Sequence, residues 1–156
     1  MSDLQDLYQE IIMEHNKRPR NFHKLDGPSC TVTGHNPLCG DRINLDLKVD
    51  GDVITDVGFT GSGCAISRAS ASMMTESVKG KRTDEAQELF DAFHAMLVPG
   101  DHKVEHDPEL LGDLDVLAGV ADYPTRVKCA MLAWQALHNA LNGELEPVST
   151  ADQGPQ

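Results

Sequence analysis

The chain has no run of apolar residues approaching the roughly 18–20 that a bilayer-spanning helix requires, so no membrane partner is expected. Behind Met1-Ser2-Asp3-Leu4-Gln5-Asp6 there is neither a basic start nor an apolar stretch. That removes the pattern of a secretory leader and makes a cytoplasmic protein the expectation. Positive charge is scarce: 13 Lys and Arg stand against 25 Asp and Glu, a formal net charge of −12. Phosphate backbones and anionic lipid surfaces repel such a chain, which argues against nucleic acid as a partner, while a cationic protein surface stays allowed. Aromatic residues make up only 4 %, so the core must rest on Leu, Val, Ile, Met and Ala. No internal repeat and no Cys-x-x-Cys pair occurs. The four cysteines are Cys30, Cys39, Cys64 and Cys129; in a reducing compartment they point to metal binding or catalysis sooner than to disulfides.

At 156 residues the length suits a single domain, expected over residues 1–143 with a polar, disordered tail over 144–156. Leu4, Leu7, Tyr8, Ile11, Ile12 and His15 recur at helical spacing, predicting a helix over 3–15 that Pro19 ends. Cys30 to Thr33 reads as a short strand. Ile43, Leu45, Leu47 and Val49 alternate with polar residues, the period of a half-buried strand, and Asp50-Gly51 turns the chain back along Val53, Thr55, Val57 and Phe59. Helices are predicted over 64–79, 84–97 and 124–142, with a short one from Asp107-Pro108 and a loop over Pro99 to His106. The fold class is α+β: a small antiparallel sheet of about three strands packed against several helices.

Four side chains stand out for chemistry. Cys39 and Asp41 lie two apart at the entry to a strand, where i and i+2 point to one side, so thiolate and carboxylate can share one ion. A turn cysteine followed by a strand-capping Asp is the blander alternative. Cys64 follows Gly61 and Gly63 at a strand-to-helix junction, and the partial positive charge of a helix start favours thiolate over thiol. Cys129 shares a small-residue helix face with Ala133, Ala136 and Ala140, a face able to approach the sheet closely; a cysteine acting as a small hydrophobe is the alternative. Three thiolates and one carboxylate supply the four ligands of a closed tetrahedral zinc site, and thiolates equally suit iron–sulfur clusters. Cys30 begins a strand, has no acidic neighbour and reads as structural. Arg68 follows Cys64 by four, too close for a Cys-x5-Arg phosphate loop, and Gly61-x-Gly63 is followed by Ile66 in place of the third glycine of a dinucleotide fingerprint. The histidines are scattered: His35 lies near Cys39, and His102 and His106 fall in a Pro/Gly-interrupted loop.

Asn36-Pro37-Leu38-Cys39-Gly40-Asp41, Gly61-Ser62-Gly63-Cys64-Ala65-Ile66-Ser67, and Ala69-Ser70-Ala71-Ser72-Met73-Met74-Thr75-Glu76 together resemble the iron–sulfur assembly proteins of the IscU/SufU (NifU N-terminal) superfamily. Arg18-Pro19-Arg20-Asn21 is similar as well, and Arg126-Val127-Lys128-Cys129-Ala130 resembles the SufU branch. Lys128 stands where the IscU branch has a histidine ligand. The segment between Lys79 and Tyr123 is longer than in that branch, and the Leu-Pro-Pro-Val-Lys chaperone motif is missing. The resemblance implies a zinc-dependent sulfurtransferase with Cys39, Asp41, Cys64 and Cys129 as ligands. On docking of a SufS-type cysteine desulfurase, a ligand from that enzyme would take the place of Cys39. The freed Cys39 would accept persulfide sulfur, with Arg126 steadying the negative charge, and pass it to SufBCD-type cluster machinery. The other function it allows is a scaffold on which a [2Fe–2S] cluster is assembled.

Overall fold

A computed structural model describes the backbone of residues 3–37, 40–98 and 108–149, and the side chains of residues 9–37, 40–98 and 110–149. Alternation builds the sheet. In β2 (Asp41–Asp50) Asp41, Ile43, Leu45 and Leu47 are buried on one face, the period expected of a half-covered strand. β2 pairs antiparallel with β1 (Cys30–Asn36) on one side and β3 (Val53–Ser62) on the other. The register sets Asn36 opposite Asp41. The alternation predicts an antiparallel sheet of about three strands. Among the described residues the sheet has four, in the order β3-β2-β1-β4, and is mixed: β4 (Val148–Ser149) runs parallel to β1 at Gly34 and His35. These two residues belong to the segment read from sequence as a disordered tail. Val148, buried at 5 % exposure, anchors them against the sheet despite their polar surroundings.

Two of the helices, the second and the last, lie on the sheet, and the others pack outside them. They are α1 (Asp3–Lys17), α2 (Ala65–Val78), α3 (Thr83–Leu97), α4 (Pro108–Leu111) and α5 (Pro124–Leu141). Between α4 and α5 the chain winds as a 3-10 helix over Gly112–Asp122, where the sequence suggested only a short helix. Leu114, Leu117 and Val120, all buried, recur at three-residue spacing and so stack on one side of that tighter winding. α5 is buried on more than one side: Cys129 through Trp134, Ala136 and Leu137 are all inside. Trp134 stacks on Phe93 of α3 at 4.6 Å between ring centroids. On the sheet side Leu132 lies against Gly34, where an added Cβ would sit 3.0 Å from Leu132 Cδ1; the absent side chain lets the helix settle on β1. Ile11 and Ile12 of α1 pack on the core, and His15 is buried. Leu4, Leu7 and Tyr8 lie outside the described side chains.

After Pro19 a strap of chain crosses from α2 to the outer edge of β3. The Arg20 N–H donates to Ser72 Oγ (2.7 Å), which also meets His15 Nδ1 (2.7 Å). Asn21, in the left-handed region at φ 59°, donates from Nδ2 to Thr75 Oγ1 (3.1 Å) and accepts the Phe59 N–H on its carbonyl (3.0 Å). The Leu25 N–H donates to the buried Asp46 carboxylate (3.1 Å). The His23 carbonyl occupies the place of a Cβ at Gly58, so only glycine lets the strap lie this close to the strand. The Arg18-Pro19-Arg20-Asn21 and Ser72-to-Thr75 stretches, more than 50 residues apart, are thus two halves of one hydrogen-bonded joint.

Candidate metal centre

At the end of β1, the start of β2, the start of α2 and the first turns of α5, polar side chains meet inside the protein. One carboxylate oxygen of Asp41 and the sulfurs of Cys64 and Cys129 all lie within 4.8 Å of one another. Asp41 and Cys129 are fully buried and Cys64 is half-buried. Among the described residues no other group of His, Cys, Asp and Glu gathers this way.

Local sequence explains each placement. The β2 pleat turns Asp41 to the same inner face as Ile43 and Leu45, and there its carboxylate needs donors. The Cys64 N–H, at the N-cap of α2, donates to Asp41 Oδ1 (2.8 Å), and the Asn36 amide donates to Oδ2 (3.3 Å). Gly63 makes room: a Cβ there would lie 2.6 Å from Oδ1. Cys129 arrives on the α5 face that rests on the sheet. It donates to the Thr125 carbonyl (3.6 Å) and accepts from the Asn36 amide (3.5 Å).

The Cys64 thiol is pulled down to about 6. The largest cause is Cys129, whose single S–H can turn from the Thr125 carbonyl to the Cys64 sulfur. The Ser67 and Ile66 N–H groups at the start of α2 add to it, against desolvation and the charge of Asp41. The helix-start effect anticipated from sequence is therefore present, but the second cysteine outweighs it. Cys30 behaves oppositely: burial and Asp46 push its thiol up. It pairs with Leu47, at the other end of β1 from Asn36, and stays out of the cluster.

Asp41, Cys64 and Cys129 are thus brought together, while Cys39 lies outside the described residues. Arg126 is exposed on the first turn of α5, and Lys128 is half-buried one residue before Cys129. In sequence Asn36 is only the first residue of the Asn36-to-Asp41 motif; that it touches two of the three donors depends on the β1–α5 packing, which no local pattern announces. The donor set suits a thiophilic ion. Around tetrahedral zinc, with Zn–S about 2.3 Å and Zn–O about 2.0–2.2 Å, neighbouring ligand atoms sit roughly 3.6–3.8 Å apart, so the observed spacing needs a contraction of about an ångström at most. Among the described residues no helix is long and apolar enough to cross a membrane.

Comparison with known proteins adds a lineage. The family described as NifU-like N terminal domain matches residues 7–131. The chain is 44 % identical over 144 residues to the zinc-dependent sulfurtransferase SufU of Bacillus subtilis, covering 92 % of this chain and 95 % of that one. It is 42 % identical over 153 residues to the iron–sulfur cluster assembly scaffold protein IscU of Streptococcus pyogenes, covering 98 % and 94 %. Its fold matches the crystal structure of a candidate scaffold protein for the SUF system from Fervidobacterium islandicum with a TM-score of 0.78 at 38 % identity, over 88 % of this chain and 98 % of that one.

Proposed function

The chain belongs to the family of NifU-like N-terminal domains, and on that premise we propose that it is a zinc-dependent sulfurtransferase serving iron–sulfur cluster assembly. Asp41, Cys64 and Cys129 are three of the zinc ligands, and Cys39 is the fourth and the sulfur acceptor. The observation that carries this reading is the convergence of one carboxylate and two sulfurs, drawn from three separate elements, within 4.8 Å. Zinc, when bound, supplies a Lewis-acidic centre that holds sulfur as thiolate.

The rest of the chemistry is the chain's own. A cysteine desulfurase of the SufS type presents a persulfide. The Cys39 thiolate attacks the outer sulfur; a new S–S bond forms at Cys39, the donor's S–S bond breaks, and the donor cysteine leaves as thiolate. Sulfane sulfur has only changed carrier, so no oxidant or reductant enters. Three thiolates and a carboxylate outweigh the charge of one divalent ion, and Arg126, three residues before Cys129, is the cation we assign to steady the excess. The onward acceptor is cluster-building machinery of the SufBCD type.

A second reading keeps the same sulfurs but makes a [2Fe–2S] cluster their cargo, favoured by the scaffold name of the Streptococcus pyogenes relative. Metal content separates the two: one zinc per colourless chain supports the transferase, and brown protein with labile sulfide the scaffold. The decisive assay measures sulfide release by the cognate desulfurase with reductant present. Wild type should raise it and Cys39→Ala should not; equal stimulation by both would falsify the acceptor role of Cys39.

A further inference from the structure

Asn36 is a fully buried amide, and a buried amide is costly unless its polar atoms are bonded. It is the last residue of β1, paired with Asp41 of β2, and the two residues before it are held on the other side by β4. Its backbone is therefore fixed from both flanks. From Nδ2 it donates to Asp41 Oδ2 (3.3 Å) and Cys129 Sγ (3.5 Å). Both partners offer lone pairs, so the amide nitrogen, not the carbonyl oxygen, has to face them. Asp41 is then gripped at both oxygens, by Cys64 N–H on one and by Asn36 on the other.

From this geometry we infer that Asn36 is a positioning residue that holds Asp41 and Cys129 in place as ligands. The inference rests on the zinc reading above. Donors to a metal's ligands orient them and moderate their charge, and their removal typically costs about 10- to 100-fold in metal affinity. An N–H donated to sulfur stabilises the bound thiolate where it stands. An amide shared between two ligands ties both to one fixed point on β1.

The test uses the full chain loaded with zinc or with cobalt(II), as wild type, Asn36→Ala and Asn36→Asp. Zinc affinity is read by competition with a chromogenic chelator, and ligand geometry by the thiolate-to-cobalt absorption. Asn36→Ala should lose about 10- to 100-fold in affinity and weaken that absorption. Asn36→Asp, the same shape with an acceptor in place of the donor, should lose at least as much. Affinity within about twofold of wild type together with an unchanged cobalt spectrum overturns the inference. Should neither variant fold, wild type loaded with cadmium-113 decides: scalar coupling from the metal to the Asn36 amide protons through the Cys129 sulfur supports the lock, and its absence overturns it. A wild-type chain that retains none of these metals overturns the zinc reading itself, an outcome separate from unaltered variants.

Discussion

Replacing Gly63 with alanine isolates the steric basis of the Asp41 position. The Gly63 φ lies outside the left-handed region, so alanine brings no backbone strain and its effect is confined to one added methyl. That methyl would sit 2.6 Å from Asp41 Oδ1, 3.1 Å from Cγ and 3.2 Å from Cβ. It cannot stay there while the 2.8 Å bond from Cys64 N–H to Oδ1 persists. A hydrogen bond to a charged group contributes about 1.5–3 kcal/mol. For a chain of this size each kcal/mol shifts Tm by about 2–4 °C, so metal-free Gly63→Ala should melt roughly 3–12 °C lower. Zinc retention should fall with it, because the carboxylate is displaced. The sharper measurement is a double-mutant cycle with Asp41→Ala, which removes the oxygens the methyl would strike. Gly63→Ala should cost clearly less in that background, with a coupling on the order of 1–3 kcal/mol. A cost under about 0.5 kcal/mol in wild type, or the same cost in both backgrounds, would refute the reasoning.

Removal of metal should lower stability: at a free zinc concentration about 100 times the dissociation constant, binding contributes about 2.7 kcal/mol, so a strong chelator should reduce Tm by roughly 5–11 °C, and an unchanged Tm would contradict the zinc reading. Acid should destabilise through His15 and His94. Burial lowers both, with Arg20 adding to the effect at His15 and His138 at His94. Their folded pKa values thus lie below the unfolded value near 6.5, the unfolded chain takes up more protons, and stability present above that value is lost as pH falls through it. The urea midpoint should drop between about pH 7.5 and 5.5, and drop less in His15→Gln; equal drops would remove His15 from this account.

Periodicity made much of the fold legible. The alternation of Ile43, Leu45 and Leu47 announced β2, and Pro124 with Gly143 bracketed α5 to within a residue or two. What escaped were features whose cause is long-range. Val148–Ser149 is too short to show a period, and only the open edge of β1 makes it a strand. Asp46 alternates like a surface residue, yet it is buried because Leu25 N–H and Thr31 Oγ1, distant in sequence, bond it. At the site, Cys64 and Asp41 were readable from strand and helix-start geometry. Cys129 depended on its alanine-lined face meeting the sheet, which the Leu132–Gly34 contact provides. The shared role of Asn36 follows from two strands and a helix packing at once, which no local pattern encodes.

The strap over residues 20–25 has a consequence for how molecules behave together. An outermost strand ordinarily offers unpaired amides and carbonyls as a template for a neighbour's strand. Here Asn21 already accepts the Phe59 N–H, and the His23 carbonyl lies over Gly58. Edge-to-edge recruitment of a second chain along that stretch of β3 would first require peeling the strap from α2, which means breaking its bonds to Ser72 and Thr75. Loosening that joint by Asn21→Ala should therefore show up as aggregation on heating before it shows up as loss of metal.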